Sequence, residues 1–297
     1  MVIWVKYKSF IMITGKQPVR GKVILAAAGP GDPELITIKT ARYLAQADVV
    51  LTDRLVSEEV LNEYVKPDAE IVYVGKQCRR GISTPQSTIN ELIVKYAYEG
   101  KLVVRLKGGD VSIFSNIMDE LETVVSYNIP FEIIPGVTAA LGAAAYAGIP
   151  LTARGYSTAV RLLTYYKSEV VTDSYWKELA ETDDTLVFYM SSETLDKLVK
   201  KLIENSISED KLLAVIEQAT TPLQNVHVTI LYEYEEQLKG KILISPSLVI
   251  IGKVVALHQQ FAWLENSNSN EYYFKPVPSQ LTTIENSNKV TLNAARV

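Results

Sequence analysis

The sequence predicts an α/β fold built on a largely parallel sheet, and three observations carry that prediction. Short apolar runs alternate with stretches of helical periodicity through the first half of the chain. Those runs are continuous rather than alternating, as in strands covered on both faces. Glycine-bearing loops follow several of them, at the strand ends where such sheets bind ligands. At about 150 residues per domain, a chain of 297 residues makes two domains.

The elements follow in order. Residues 22–29 read as a buried strand ending in glycine, and residues 34–47 as a helix, with Leu35, Ile38, Ala41, Arg42 and Leu44 in register. Asp48 caps the return into a second strand, 49–52. A helix over 57–64 and a strand over 70–74 come next. Residues 83–98 are helical, with Ile89, Leu92, Ile93 and Ala97 on one face, and 101–106 form another strand. Ile113, Ile117, Leu121 and Val125 recur every four residues and predict a helix. A strand over 131–134 closes this half.

After Pro135-Gly136, residues 138–147 read as a helix whose small side chains let another backbone approach closely. Strands are expected at 160–165, 185–189, 213–217 and 247–251, with a helix over 195–205. Residues 226–232 alternate and predict antiparallel pairing. From 266 the chain is rich in Asn and Ser and repeats Glu-Asn-Ser-Asn at Glu265 and Glu285, which predicts a flexible tail with 272–276 docking back. The expected divisions are an N-terminal extension over 1–21, α/β domains over 22–136 and 137–264, and a polar tail over 265–297. Met12 offers a second start for the chain.

Hydrophobic residues at 47% and charged residues at 22% exclude a mainly disordered chain, a collagen and a coiled coil. With 30 Lys and Arg against 34 Asp and Glu, the net charge of −4 argues against a nucleic-acid partner. Cys78 is the only cysteine, so neither an intramolecular disulfide nor a cysteine-cluster metal site can form within the chain. His227 and His258 alone do not make a histidine zinc site, and no metal is expected. No apolar run approaches the roughly 20 residues of a membrane span. Lys6 and Lys8 interrupt the apolar N-terminus, which does not read as a signal peptide. The expectation is a cytoplasmic protein with no membrane partner.

Four motifs sit at strand ends. Gly29-Pro-Gly-Asp-Pro33 reads as a tight turn with Asp32 capping a helix, or as the rigid wall of a cleft; its glycine spacing is not the dinucleotide fingerprint. In Lys107-Gly-Gly-Asp110, paired glycines permit positive φ and close approach of a ligand, with a carboxylate alongside; a capped turn is the alternative. Asp53-Arg54 and Lys76 each read as a surface charge or as an acid/base group at the cleft. Cys78, beside Arg79 and Arg80, has no histidine positioned by sequence and reads as an ordinary thiol.

Taken in this order, the motifs resemble the tetrapyrrole methyltransferases, and within them the uroporphyrinogen-III C-methyltransferases. The matching stretches are Gly29-Pro-Gly-Asp-Pro-Glu-Leu-Ile-Thr37, Ala47-Asp-Val-Val-Leu-Thr-Asp-Arg-Leu-Val-Ser57, Val74-Gly-Lys76 and Val103-Val-Arg-Leu-Lys-Gly-Gly-Asp110. They continue with Ile129-Pro-Phe-Glu-Ile-Ile-Pro-Gly-Val-Thr-Ala-Ala140, Ala145-Tyr-Ala-Gly-Ile-Pro-Leu-Thr152, Thr185-Leu-Val-Phe-Tyr-Met190 and Ser245-Pro-Ser-Leu-Val-Ile-Ile-Gly252. The set spans roughly residues 22–264, and its specificity lies in the combination.

The resemblance implies two α/β domains with an active-site cleft between them, of the class III methyltransferase type, in a homodimer. It implies S-adenosylmethionine as methyl donor, with S-adenosylhomocysteine as product. Pro30, Gly108, Gly109, Asp110, Ile113, Thr138, Ala139, Met190 and Ala219 fall at the donor-binding positions. Asp53 falls at the proton acceptor and Lys76 at the proton donor. The implied reaction is transfer of two methyl groups to uroporphyrinogen III, giving precorrin-2 for sirohaem or cobalamin. A polycarboxylate substrate calls for cations in the cleft. The candidates are Arg54, Arg154, Arg161 and Lys167, with Lys76, Arg79 and Arg80 beside them.

Three places, four residues in all, depart from the family pattern. Asn116 stands where the family has an arginine, Ala153 where it has a histidine, and Tyr165-Tyr166 where it has Gly-His. A fixed cation cannot become a neutral amide without changing charge compensation. The donor side therefore follows the family while the macrocycle side departs from it. Two alternatives follow: methylation of a later corrin precursor such as precorrin-4, or a non-catalytic tetrapyrrole-binding protein.

Overall fold

Strands with continuous apolar runs need cover on both faces, and among the described residues each of the two five-stranded sheets receives it. The computed structural model describes residues 20–77, 82–165 and 172–274. Its first half carries β1 (Lys22–Ala27), β2 (Val49–Thr52), β3 (Glu70–Tyr73), β4 (Lys76–Gln77), β5 (Ile82–Ser83), β6 (Leu102–Lys107) and β7 (Phe131–Ile134). Five of these form a sheet in the order β3-β2-β6-β1-β7, every pair parallel, while β4 and β5 pair separately. All five carboxyl ends therefore lie along one side of the sheet.

Helices α1 (Ile38–Leu44) and α2 (Glu58–Tyr64) cover one face, where Ile24, Ala26, Val50 and Val104 meet Leu44, Val60 and Leu61. Helices α3 (Gln86–Tyr98) and α4 (Met118–Ser126) cover the other, where Leu25, Val49, Leu51 and Val103 meet Ile89, Ile93 and Val124. Each Val, Leu or Ile buried in this way contributes about 1.5–3 kcal/mol.

The second half contains α5 (Ala139–Tyr146), β8 (Val160–Thr164), α6 (Asp173–Glu181), β9 (Thr185–Tyr189) and α7 (Leu195–Glu204). It continues through β10 (Leu212–Glu217), β11 (Asn225–Ile230), α8 (Tyr234–Gln237), β12 (Ser247–Gly252) and α9 (His258–Phe261). The sheet order is β11-β10-β12-β9-β8, with β8 and β9 parallel and the other pairs antiparallel. Consequently β8, β9 and β10 run in the same direction. Alternate residues of β9, Leu186 and Phe188 against Val187 and Tyr189, enter two separate cores, one under α6 and α7 and one under α5.

The expected strands are found, and 226–232 pairs antiparallel as β11. Four differences have physical causes. The helix expected over 34–47 is split, because Ile36 and Thr37 are extended and the Thr37 hydroxyl caps α1 by accepting from the Thr40 amide at 3.2 Å. The helix expected from Ile113 begins at Met118, because Phe114 and Asn116 adopt φ of +52° and +53°. Helix α6 has no counterpart among the expected elements; Thr172 caps it and Trp176, Leu179 and Ala180 are its buried face. The tail docks from Asn266 onward. The Asn266 amide accepts from Val226 N at 2.7 Å and donates to Val226 O at 3.0 Å, and Phe274 is buried. Among the described residues no helix is long and apolar enough to cross a membrane.

Candidate active site

The carboxyl ends of β1, β6 and β7 deliver three loops that are stitched together. Gly29 and Gly109 exchange backbone hydrogen bonds, Gly109 N to Gly29 O at 2.7 Å and Gly29 N to Gly109 O at 3.1 Å. Asp110 braces the same loops. Its Oδ1 accepts from the Ser112 amide at 2.8 Å and from the Ser112 hydroxyl, and its Oδ2 accepts from Gly136 N at 2.9 Å. Burial alone would raise the Asp110 carboxyl, but these hydrogen bonds outweigh it and hold the group below the ordinary carboxylate range. Gly108 is forced by packing, since a Cβ there would lie 2.6 Å from Leu55 O. Gly109 differs: it has φ +69°, and a Cβ would meet nothing nearer than Ala139 N at 3.8 Å. That gap is an open backbone surface a ligand can approach.

The second half meets these loops from across the cleft. The Tyr189 hydroxyl, at the end of β9, bonds the Thr138 hydroxyl at 2.7 Å and accepts from Ala140 N at 3.1 Å, capping α5. Burial pushes the Tyr189 phenol up. Phe114 packs on the Tyr189 ring at 5.0 Å between centroids, and Met190 follows at φ +54°, half exposed. Ala219 sits in the turn after β10, and its carbonyl lies 3.1 Å from where a Gly31 Cβ would be. Asp32 N donates to the Thr220 hydroxyl at 3.2 Å, and the Tyr146 hydroxyl donates to the Asp32 carboxylate. Pro30 touches α5 at Gly142. Beside this junction opens an apolar cavity of about 810 Å³, lined among others by Ile113, Thr138, Leu141, Thr152 and Leu162. The nine residues expected at the donor therefore lie on loops, or for Ala139 at the start of α5, that converge at one junction of the two halves.

Asp53 follows β2, with its side chain 27% exposed and Oδ1 accepting from Arg105 Nη2 at 2.6 Å. Behind it lies a buried array that the sequence reading missed. Arg105 Nε donates to Glu120 at 2.8 Å, and Lys107 Nζ bonds the two Glu120 oxygens at 3.1 and 2.9 Å. The available signal was the presence of two cations, Arg105 and Lys107, on alternate positions of a strand buried from Val103 onward. Such cations need buried carboxylates.

The other predicted cations separate. Arg54 is half-buried beside Asp53, and a Cβ on Gly75 would lie 2.7 Å from its amide. Arg154 is exposed on a turn closed by mutual Ala153–Ser157 backbone bonds at 3.0 Å, next to the cavity-lining Thr152. Arg161 lies near the start of β8 and pairs with Asp184 and Glu178. In register it sits three residues, or about 10 Å, from the carboxyl end beside Tyr189. Lys76 has its backbone in β4, but its side chain, like Lys167, Cys78, Arg79, Arg80 and Tyr166, lies outside the described residues. Tyr165 turns into the core against Trp176, with ring centroids 4.9 Å apart. Among the described residues no group of three or more His, Cys, Asp or Glu is placed to hold a metal ion.

The family described as Tetrapyrrole (Corrin/Porphyrin) Methylases matches residues 22–235. A siroheme synthase of Acinetobacter baylyi is 46% identical over 245 residues, 82% of this chain and 53% of that protein. The chain spans about half the length of the curated relatives it matches. Among solved structures, the uroporphyrin-III C-methyltransferase of Thermus thermophilus is 34% identical with a TM-score of 0.68, covering 83% of this chain and 98% of that one. The same Thermus enzyme complexed with S-adenosylhomocysteine gives 33% identity and a TM-score of 0.66, over 79% and 93% of the two chains. A cobalt precorrin-4 methyltransferase gives 29% and 0.70, over 79% and 95%.

Proposed function

The chain belongs to the tetrapyrrole (corrin/porphyrin) methylases, and from that premise we propose that it methylates uroporphyrinogen III on carbon. Two successive transfers from S-adenosylmethionine would give precorrin-2, on the route to sirohaem. The names of its relatives, siroheme synthase and uroporphyrin-III C-methyltransferase, support this substrate over a later corrin precursor. The single observation that carries the reading is the convergence of the Pro30, Gly108–Ile113, Thr138–Ala139, Met190 and Ala219 loops beside Asp53.

The donor supplies a methyl group already made electrophilic by its sulfonium. This chain's residues supply alignment and a proton acceptor. The open backbone at Gly109, facing Ala139, and the half-exposed Met190 fit a small organic donor. Holding two reactants in attack geometry is worth about 7–11 kcal/mol in the best cases. Asp53 is the proposed base that takes the proton from the methylated macrocycle, and Lys76 the proposed proton donor. Arg54 and Arg154 are the proposed contacts for substrate carboxylates. Arg161 is left out, because two carboxylates already hold it at the far end of its strand. The reading includes a homodimer, supported by the exposed apolar side chains of Leu141, Phe261 and Trp263.

The test is an anaerobic incubation with enzymatically generated uroporphyrinogen III and labelled S-adenosylmethionine, followed by mass analysis of the oxidised products. Two added methyl groups are expected. Donor binding without transfer would move the substrate to a later corrin precursor.

A further inference from the structure

We propose that Arg105 is a positioning residue that aims the Asp53 carboxylate at the cleft, with Glu120 and Lys107 locking Arg105 in place. The inference rests on the reading that Asp53 accepts the proton. Arg105 is 2% exposed and Glu120 is fully buried. Burying three charges, Arg105, Lys107 and Glu120, for stability alone is a poor solution, since a well-packed hydrophobic residue of similar size often serves as well or better. The geometry of the array gives it another purpose.

A carboxylate at a strand end turns about its own Cβ–Cγ bond, and a base that turns is a weak base for one particular proton. Here Arg105 Nη2 pins Oδ1 at 2.6 Å, while no hydrogen bond from Arg105 to Oδ2 is seen among the described residues. The same guanidinium fixes the backbone that carries Asp53, because Nη1 donates to Leu51 O at 3.2 Å and to Leu106 O at 3.1 Å. Leu51 lies two residues before Asp53, directly opposite Arg105 in the β2–β6 register. Arg105 itself cannot turn. Its Nε is held by Glu120 Oε1, and Lys107 bonds both Glu120 oxygens from the same face of the same strand. The array thus runs from α4 through β6 to the end of β2. Two cations and two carboxylates leave it neutral.

The test uses the full chain and the Arg105→Met, Arg105→Lys, Glu120→Gln and Asp53→Asn variants, together with the double variant that carries both Arg105→Met and Asp53→Asn. Arg105→Met should lower kcat between about 10- and 100-fold. KM for the tetrapyrrole and affinity for S-adenosylhomocysteine should stay within about twofold of the parent. Arg105→Lys should recover part of kcat, and Arg105→Met should cost nothing further in the Asp53→Asn background. Glu120→Gln, an isosteric change that keeps the core filled, should lower kcat in the same way and serves if Arg105→Met does not fold. Parent-like kcat in whichever of these two variants folds overturns the proposal. So does an equal further loss on top of Asp53→Asn. Those results leave the functional reading intact, whereas an inactive parent or a fully active Asp53→Asn variant removes the reading and this proposal with it.

Discussion

Both oxygens of Asp110 are engaged by Ser112 and Gly136, so the residue stabilises the loop before any ligand arrives. Its carboxyl is held below its unfolded value, so its contribution is present above the ordinary range near pH 4 and is lost as pH falls through the folded value. Asp110→Asn should destabilise the protein by about 1–3 kcal/mol at pH 7, and the deficit should shrink in acid. Urea unfolding at pH 7 and pH 3 checks both. Arg154 and Arg161 make a contrasting pair. Arg154→Ala should raise KM for the tetrapyrrole several-fold. Arg161→Ala should leave KM unchanged and cost at most about 1 kcal/mol, the scale of a solvent-exposed ion pair. Steady-state kinetics and thermal unfolding of both variants separate the roles. The sequence presents these arginines as equals, because a strand's residues can be recognised without knowing which charges lie at its binding end. Arg105 shows the opposite limit: its motif's glycines and aspartate mark the loop at the strand end, while the carboxylate that buries with it, Glu120, lies on a separate helix.

At the scale of elements, α5 is held close to the first half by having no side chain at Gly142. A Cβ there would lie 2.6 Å from Pro30 Cγ and 2.9 Å from Thr220 Cγ2. In an ordinary helix, glycine to alanine gains about 1 kcal/mol. Here overpacking of about 1–3 kcal/mol should prevail, so Gly142→Ala should lower the melting temperature and weaken S-adenosylhomocysteine binding together. Differential scanning calorimetry with and without the ligand tests this. Strand cores were legible because β1, β2, β6 and β9 carry short runs of apolar residues that are buried, such as Val23–Ala27, Val49–Leu51, Val103–Val104 and Leu186–Tyr189. Helix starts were not. Ile113 and Ile117 share a four-residue spacing, yet Ile113 packs with the second half and Ile117 with the first, separated by left-handed Phe114 and Asn116. Periodicity counts residues and cannot see that the chain turns toward a cleft. Asparagine tolerates that backbone better than most residues, so the departure at 116 is locally comfortable.

For the whole molecule, the two halves are joined by more than the chain running from β7 into α5. The segment from Asn266 lies along β11, passes its backbone at Glu271 and Tyr273 to the Gln218 side chain at 2.9 and 2.7 Å, and reaches Glu59 on α2 through the Tyr273 hydroxyl at 2.7 Å. The sequence reading expected docking only from 272. Composition alone made the Asn-Ser run look solvated, although each of those amides can replace a strand partner. Phe274→Ala should destabilise by about 3–5 kcal/mol, measured by chemical unfolding. The two hydrogen bonds between Asn266 and Val226 have a consequence for behaviour in concentrated solution. An uncovered outer strand is a template onto which another molecule's strand can add, and here a side-chain amide occupies that row of donors and acceptors. A chain shortened to end at Glu265 should therefore fold with its catalytic loops present yet precipitate or form fibrils at concentrations where the full chain stays dispersed, an outcome that light scattering would register before any loss of methyl transfer.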